Sequence, residues 1–129
     1  MSEKTKLKIG EFSKLMQVTV KTLRHYEQMG LLIPYEVDKW TGYRYYTIEQ
    51  MQRLNAIREL KGMGFSLEEI KDLYDDEYHE PSISQINAKL TECNRQIRTL
   101  LRRRQQLIDT VNSKKNIKTM EKFSIQALP

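Results

Sequence analysis

Val18–Tyr46, VTVKTLRHYEQMGLLIPYEVDKWTGYRYY, switches from a helical period to an alternating one within a short span. Thr19 is placed to cap the first amides of a helix beginning at Val20, and Thr22 reinforces that turn. Val20, Leu23 and Met29 give an apolar edge at helical spacing, with Lys21, Thr22, Arg24, His25 and Gln28 largely off it. Gly30 stands where a helix ends in a left-handed residue, and Pro34 prevents its immediate resumption. Beyond it, Tyr35–Asp38, a turn through Lys39-Trp40-Thr41-Gly42, and Tyr43–Tyr46 read as a short aromatic hairpin.

Upstream, residues 1–7 are a polar lead with room for a brief edge strand at Leu7–Ile9. Ile9, Phe12, Leu15 and Met16 recur at helical spacing and predict a first helix of about two turns. Gln17-Val18 is too short for anything but a turn, so the two helices form a helix-turn-helix. Downstream, Thr47 and Gln50 make a capping box. It opens a helix with Ile48, Met51, Leu54, Ile57, Leu60 and Lys61 along one stripe, interrupted at Gly62 and Gly64. Ser66 and Glu69 open a second helix, to about Tyr74, with Leu67, Ile70, Leu73 and Tyr74 inward. Phe12, Leu15, Leu23, Leu31, Leu32, Ile48, Leu54, Ile57, Phe65, Leu67 and Ile70 then suffice for one modest core. A basic, hydroxyl-bearing helix followed by a hairpin with an arginine between tyrosines is the pattern of a winged helix-turn-helix that grips DNA.

After a charged break from Asp75 to Pro81, the register becomes strict. Ile83, Ile86, Leu90, Cys93, Ile97, Leu100, Arg104, Leu107 and Val111 alternate spacings of three and four, a heptad seam with Arg104 as its one charged position. From Ile83 to Val111 such a helix spans roughly 43 Å. A seam this narrow cannot bury itself, and the simplest partner is the same helix of a second copy, which makes a twofold homodimer. Asn112–Asn116 is expected to end the helix. The expected organisation is a winged helix-turn-helix domain over residues 1–76, a coiled-coil dimerisation helix over 82–113, and a tail over 114–129. The fold class is mainly α, with a small β-hairpin as wing.

The chain of 129 residues carries a net charge of +5 and a pI near 9.3, which favours an anionic partner. Eleven Lys/Arg against seven Asp/Glu give residues 1–67 a charge of +4. One lysine against seven acids gives residues 68–80 −6, and ten bases against three acids give residues 81–129 +7. The basic character therefore lies at the two ends, about an acidic belt. One cysteine, Cys93, excludes an intrachain disulfide and points to a reducing compartment. No apolar run reaches membrane-spanning length and no signal-peptide core is present, so the expected location is the cytoplasm, without membrane contact.

The segments IGEFSKLMQVTVKTLRHYEQMGLL, GYRYYTIEQMQRL and LKGMGFSLEEIKDL resemble the MerR family of bacterial transcription regulators, over roughly residues 8 to 75. The coupling of the helix-turn-helix to Gly42-Tyr43-Arg44-Tyr45-Tyr46 and then to Gly64–Ile70 makes the resemblance specific. It implies that the second helix enters the major groove of double-stranded DNA, with Arg24 and Tyr26 as leading contacts, then Thr19, Lys21 and Thr22. His25 stands where relatives commonly have tyrosine. Arg44 is the expected phosphate clamp of the wing, beside Lys39, Tyr43 and Tyr45. Lys61 resembles a contact of a second wing. The implied mechanism is binding of a homodimer to a pseudo-palindromic promoter whose spacer is too long for RNA polymerase. Bending and untwisting the spacer then realigns the promoter elements. The family packs its long helices antiparallel, a direction the heptads do not reveal.

Cys93 on the seam reads as a small buried core residue rather than a ligand. Metal-sensing relatives need two or more thiolates near the end of the long helix, and redox relatives need a cysteine cluster. Neither pattern is in the sequence, no catalytic constellation is present, and no cofactor is expected. Arg102-Arg103-Arg104 reads as a solvated coiled-coil face. Lys122–Pro129, KFSIQALP, resembles the opening strand of a GyrI-type ligand-binding domain. That favours a DNA-binding fragment of a longer regulator, with a small-molecule inducer only through the missing domain, over a short natural member. Two other classes stay open: an architectural or excision-type DNA-bending factor, and a coiled-coil protein with a different anionic partner.

Overall fold

The computed structural model describes residues 5–75 and 80–127, with side chains through residue 120. Two compact units emerge, Met1–Ser82 and Ile83–Pro129. In the first, β1 (Leu7–Lys8) leads directly into α1 (Ile9–Met16), followed by α2 (Val20–Met29), β2 (Glu36–Val37), β3 (Arg44–Tyr46), α3 (Ile48–Gly62) and α4 (Leu67–Asp75). The second is one helix, α5 (Ile83–Ala127). Most of the break expected after Asp75 falls on residues 76–79, which lie outside the described residues.

The three strands form one antiparallel sheet in the order β1-β3-β2. Leu7 pairs with Tyr46 and Lys8 with Tyr45, while Glu36 pairs with Tyr45 and Val37 with Arg44. The alternation of β3 puts Tyr46 and Arg44 on one side of the sheet and Tyr45 on the other. Tyr46 is fully buried and stacks on Phe12 of α1, with ring centroids 4.6 Å apart. That stack ties the sheet to the helix-turn-helix. Leu23, Tyr26, Leu31, Leu32, Leu54, Ile57, Leu60, Phe65, Ile70 and Leu73 complete the core.

Two expected core residues are outside it. Leu15 is 61% exposed because the buried stripe of α1 runs through Ile9, Phe12, Ser13 and Met16, a quarter-turn away. Ile48 is 55% exposed because it is the first residue of α3. A helical side chain covers the turn before its own Cα, and Ile48 has no such turn. Beneath it the cap residue Thr47 takes the buried position.

The long helix also departs from expectation. It does not end at Asn112–Asn116 but continues to Ala127, so 122–127 of the KFSIQALP segment are helical rather than strand; Leu128 and Pro129 lie outside the described residues. From Ile83 to Ala127 there is no glycine or proline. The asparagines and Ser113 cost only a few tenths of a kcal/mol each against better helix formers. The seam residues Ile83, Ile86, Leu90, Cys93, Ile97, Leu100, Arg104, Leu107 and Val111 are all exposed in the single chain, as are Leu101, Ile108, Ile117 and Met120.

Candidate nucleic-acid interface

The geometry of α2 begins at its cap. Thr19 Oγ1 accepts a hydrogen bond from the Thr22 amide at 3.0 Å and donates to Thr22 Oγ1 at 2.8 Å. Before it, Gln17 adopts a left-handed conformation (φ 53°) that turns the chain between α1 and α2. The Ser13 hydroxyl donates to the Val18 carbonyl across that turn. Arg58 of α3 donates through Nη2 to the Met16 carbonyl and, at 3.0 Å, to the Gln17 carbonyl. Carbonyls left over at the end of α1 are thus satisfied by a cation on a third helix.

From this base α2 buries Leu23 and Tyr26 and exposes Lys21, Arg24, His25 and Gln28. Tyr26, expected as a leading DNA contact, is 4% exposed, so its ring belongs to the core rather than to the exposed face of α2. Position 26 is three residues after Leu23, on the apolar edge, and that spacing could have found it. Thr22 is half-buried and engaged with Thr19. Lys21, Arg24, His25, Gln28 and Val20 line a shallow concavity along the helix.

The wing is built by its turn. The Asp38 carboxylate accepts from the amides of Trp40 (2.8 Å) and Thr41 (2.9 Å), and these bonds hold its pKa below the ordinary carboxylate value. The Asp38 amide donates to the Tyr43 carbonyl at 2.9 Å, and Gly42, at φ +74°, donates to the Asp38 carbonyl at 2.9 Å. Lys39 and Trp40 are left exposed at the tip.

Arg44, expected as the phosphate clamp of the wing, is engaged within the chain. Its Nε donates to Glu27 Oε1 at 2.7 Å and its Nη2 to Glu27 Oε2 at 3.2 Å, with both side chains largely shielded. The hydrogen bonds and charge of Glu27 raise the guanidinium's pKa further. The pair crosses from the wing to α2, so it fixes one against the other while leaving Nη1 uncommitted to it. Nothing local in the sequence signals Glu27, which is seventeen residues from its partner.

Between these parts lies a groove of about 410 Å³, lined by Lys8, Ile9, Gly10, Glu11, Lys14, Arg24, Gly42, Tyr43 and Arg44. Four cations face one carboxylate there, and the first turn of α1 opens onto it. Lys8 Nζ lies 4.8 Å from the Tyr43 ring centroid. Arg24 belongs to both this groove and the concavity along α2. The structure therefore brings Lys21, Arg24, His25, Tyr43 and Arg44 together, and adds Lys8 and Lys14. Thr19 acts as a cap, Tyr45 is half-buried, Lys39 is at the tip, and Lys61 is exposed in the last turn of α3; none of these four lines either concavity.

Residues 7–77 match the family model described as "MerR HTH family regulatory protein", and residues 51–110 match one described as "MerR, DNA binding". The chain is 45% identical over 93 residues to the multidrug-efflux transporter 1 regulator of Bacillus subtilis, covering 72% of this chain and 32% of that protein. It is 33% identical over 108 residues to the HTH-type transcriptional regulator ZntR of Escherichia coli, covering 74% and 76%. The chain thus spans about a third of the length of the B. subtilis relative. Among solved structures it is similar to EcmrR in the EcmrR–DNA complex in EcmrR-RPo, with TM-score 0.77 and 34% identity over 85% of this chain and 40% of that one.

Proposed function

Because this chain belongs to the MerR family of helix-turn-helix regulatory proteins, we propose that it is a sequence-specific transcription regulator that binds double-stranded DNA as a homodimer. In this reading α2 enters the major groove, presenting Lys21, Arg24, His25 and Gln28 to base edges and adjacent phosphates. A backbone phosphate sits in the groove between α1 and the wing, against Lys8, Lys14, Arg24 and the free edge of Arg44. Glu27 orients that guanidinium in advance, so little side-chain entropy is lost when the phosphate arrives. The exposed heptad seam of α5 pairs with a second copy, which matches a twofold protein to a pseudo-palindromic promoter operator. Distorting the spacer costs about 1–6 kcal/mol elastically. Phosphate contacts from both halves offset that cost, and RNA polymerase reads the realigned promoter. The protein acts in the cytoplasm and is not an enzyme.

The observation that supports this most directly is the groove that Arg24 of α2 and Arg44 of the wing line together with Lys8 and Lys14. The test is binding of the purified protein to the promoter of its own gene at several salt concentrations, alongside Arg24→Ala and Arg44→Ala. Tight, salt-sensitive binding of a dimer to one inverted repeat, weakened by both changes, is the expected result. Binding indifferent to sequence, or unaffected by both substitutions, would overturn it. Sites away from promoter spacers would favour an architectural DNA-bending factor instead.

A further inference from the structure

Trp40 is 96% exposed, the most exposed of the large hydrophobic side chains described. A single exposed hydrophobic side chain is ordinary by itself; what sets Trp40 apart is the turn that carries it and the charge beside it. Its backbone is not free to fold it away. Asp38 holds the Trp40 and Thr41 amides, Gly42 closes the turn onto the Asp38 carbonyl, and the Tyr43 amide donates to Thr41 Oγ1 at 3.2 Å. The turn therefore fixes the backbone that carries the indole, so a contact there has only the two side-chain torsions left to order on binding. Tryptophan is also among the side chains that dominate interfaces when such a site is covered.

Charge and position indicate what covers it. Lys39 precedes it, and the hairpin below it contributes Gly42, Tyr43 and Arg44 to the cationic groove that includes Arg24 of α2. The Arg44–Glu27 pair holds the base of the hairpin against α2, so the tip is carried on the same hairpin that lines the cationic groove.

We propose that Trp40 is a DNA contact of the wing: its indole face packs on the apolar deoxyribose edges of the backbone beside the half-site, and its Nε1–H donates to a phosphate oxygen. This rests on the DNA-binding reading above. The contact adds affinity with little dependence on sequence, because every nucleotide offers the same sugar and phosphate.

The chain contains a single tryptophan, so intrinsic fluorescence reports on this side chain alone. The unmodified full chain is titrated with a labelled duplex of its own promoter. Anisotropy of the label reads binding, and tryptophan emission with acrylamide quenching reads the indole. The expected result is a blue shift and at least a twofold fall in quenching as the duplex saturates. Trp40→Ala weakens binding by about tenfold, roughly one well-packed contact, and Trp40→Phe recovers part of that loss, while circular dichroism of both variants is unchanged. A duplex that binds with Trp40 emission and quenching unaltered overturns the proposal and leaves the DNA-binding reading intact. Absence of duplex binding at all overturns both.

Discussion

Tyr46 carries the least comfortable polar atom in the core. Its ring is fully buried on Phe12, and its hydroxyl has no hydrogen-bond partner among the described residues. A buried donor left unmade costs on the order of 1–3 kcal/mol, whereas removing it with its shape kept is close to neutral or stabilising. Tyr46→Phe is therefore expected to raise the urea midpoint, by about 1 kcal/mol in stability. Burial, first, and then Glu27 push the phenol from 10.0 up to about 12. The folded chain keeps a proton that the unfolded chain gives up near pH 10, so stability is intact below that pH and falls as pH climbs toward 12. Urea midpoints from pH 9 to 11.5 should show this decline in the native chain and a shallower one in Tyr46→Phe; parallel declines would count against a buried phenol. Alternation along Tyr43–Tyr46 sends neighbouring tyrosines to opposite faces, but it does not say which of them is buried. Tyr26 is the reverse case: its place three residues after Leu23 was open to a core reading, and the family resemblance pointed instead to DNA.

At the scale of elements, what lies within one helix was readable and what joins two was not. Thr19, the box of Thr47 with Gln50, and the box of Ser66 with Glu69 all act as caps, because a cap and its amide are three residues apart. Arg58 on the α1–α2 turn and Arg44 on Glu27 span 41 and 17 residues, and no local pattern encodes such a meeting. Arg58→Ala leaves the Met16 and Gln17 carbonyls without their cationic donor. It is expected to cost roughly 1.5–3 kcal/mol in urea unfolding, the range for hydrogen bonds to charged groups. For Glu27 and Arg44, a double-mutant cycle with alanine is expected to give a coupling of about 1 kcal/mol, since the pair is bidentate but still partly hydrated. Arg44→Lys should not restore it, because an ammonium cannot bridge both carboxylate oxygens as a guanidinium does. A coupling indistinguishable from zero would reduce the pair to a surface contact and remove its role in aligning wing and helix.

For the whole molecule, the decisive feature is a helix that cannot satisfy itself. At 45 residues, α5 is on the order of 68 Å long, and its apolar stripe is exposed along its described length, widening where Leu101 and Ile108 join the seam beside Leu100 and Leu107. The heptad spacing made this stripe legible, since the alternation of three and four runs from Ile83 to Val111 with Arg104 as its one charged position. The end of the helix was not legible from weak helix formers at Asn112–Asn116, because only glycine or proline costs enough to stop a helix that packing sustains. Arg104 interrupts the stripe with a charge that must be desolvated or reach solvent when a second helix covers it. Arg104→Leu is therefore expected to tighten self-association, and Leu100→Asp to weaken it by tenfold or more, both read by sedimentation equilibrium. The consequence for DNA follows from linkage. A dimer engages its second half-site as an intramolecular event, a gain of about 10²–10⁴ in apparent affinity over one half-site. Leu100→Asp should lose most of that gain on an inverted repeat and almost nothing on a single half-site duplex. If the dissociated chain bound the inverted repeat as tightly as the native one, the stripe on α5 would belong to some other partner, and the two-fold reading of the operator would fall with it.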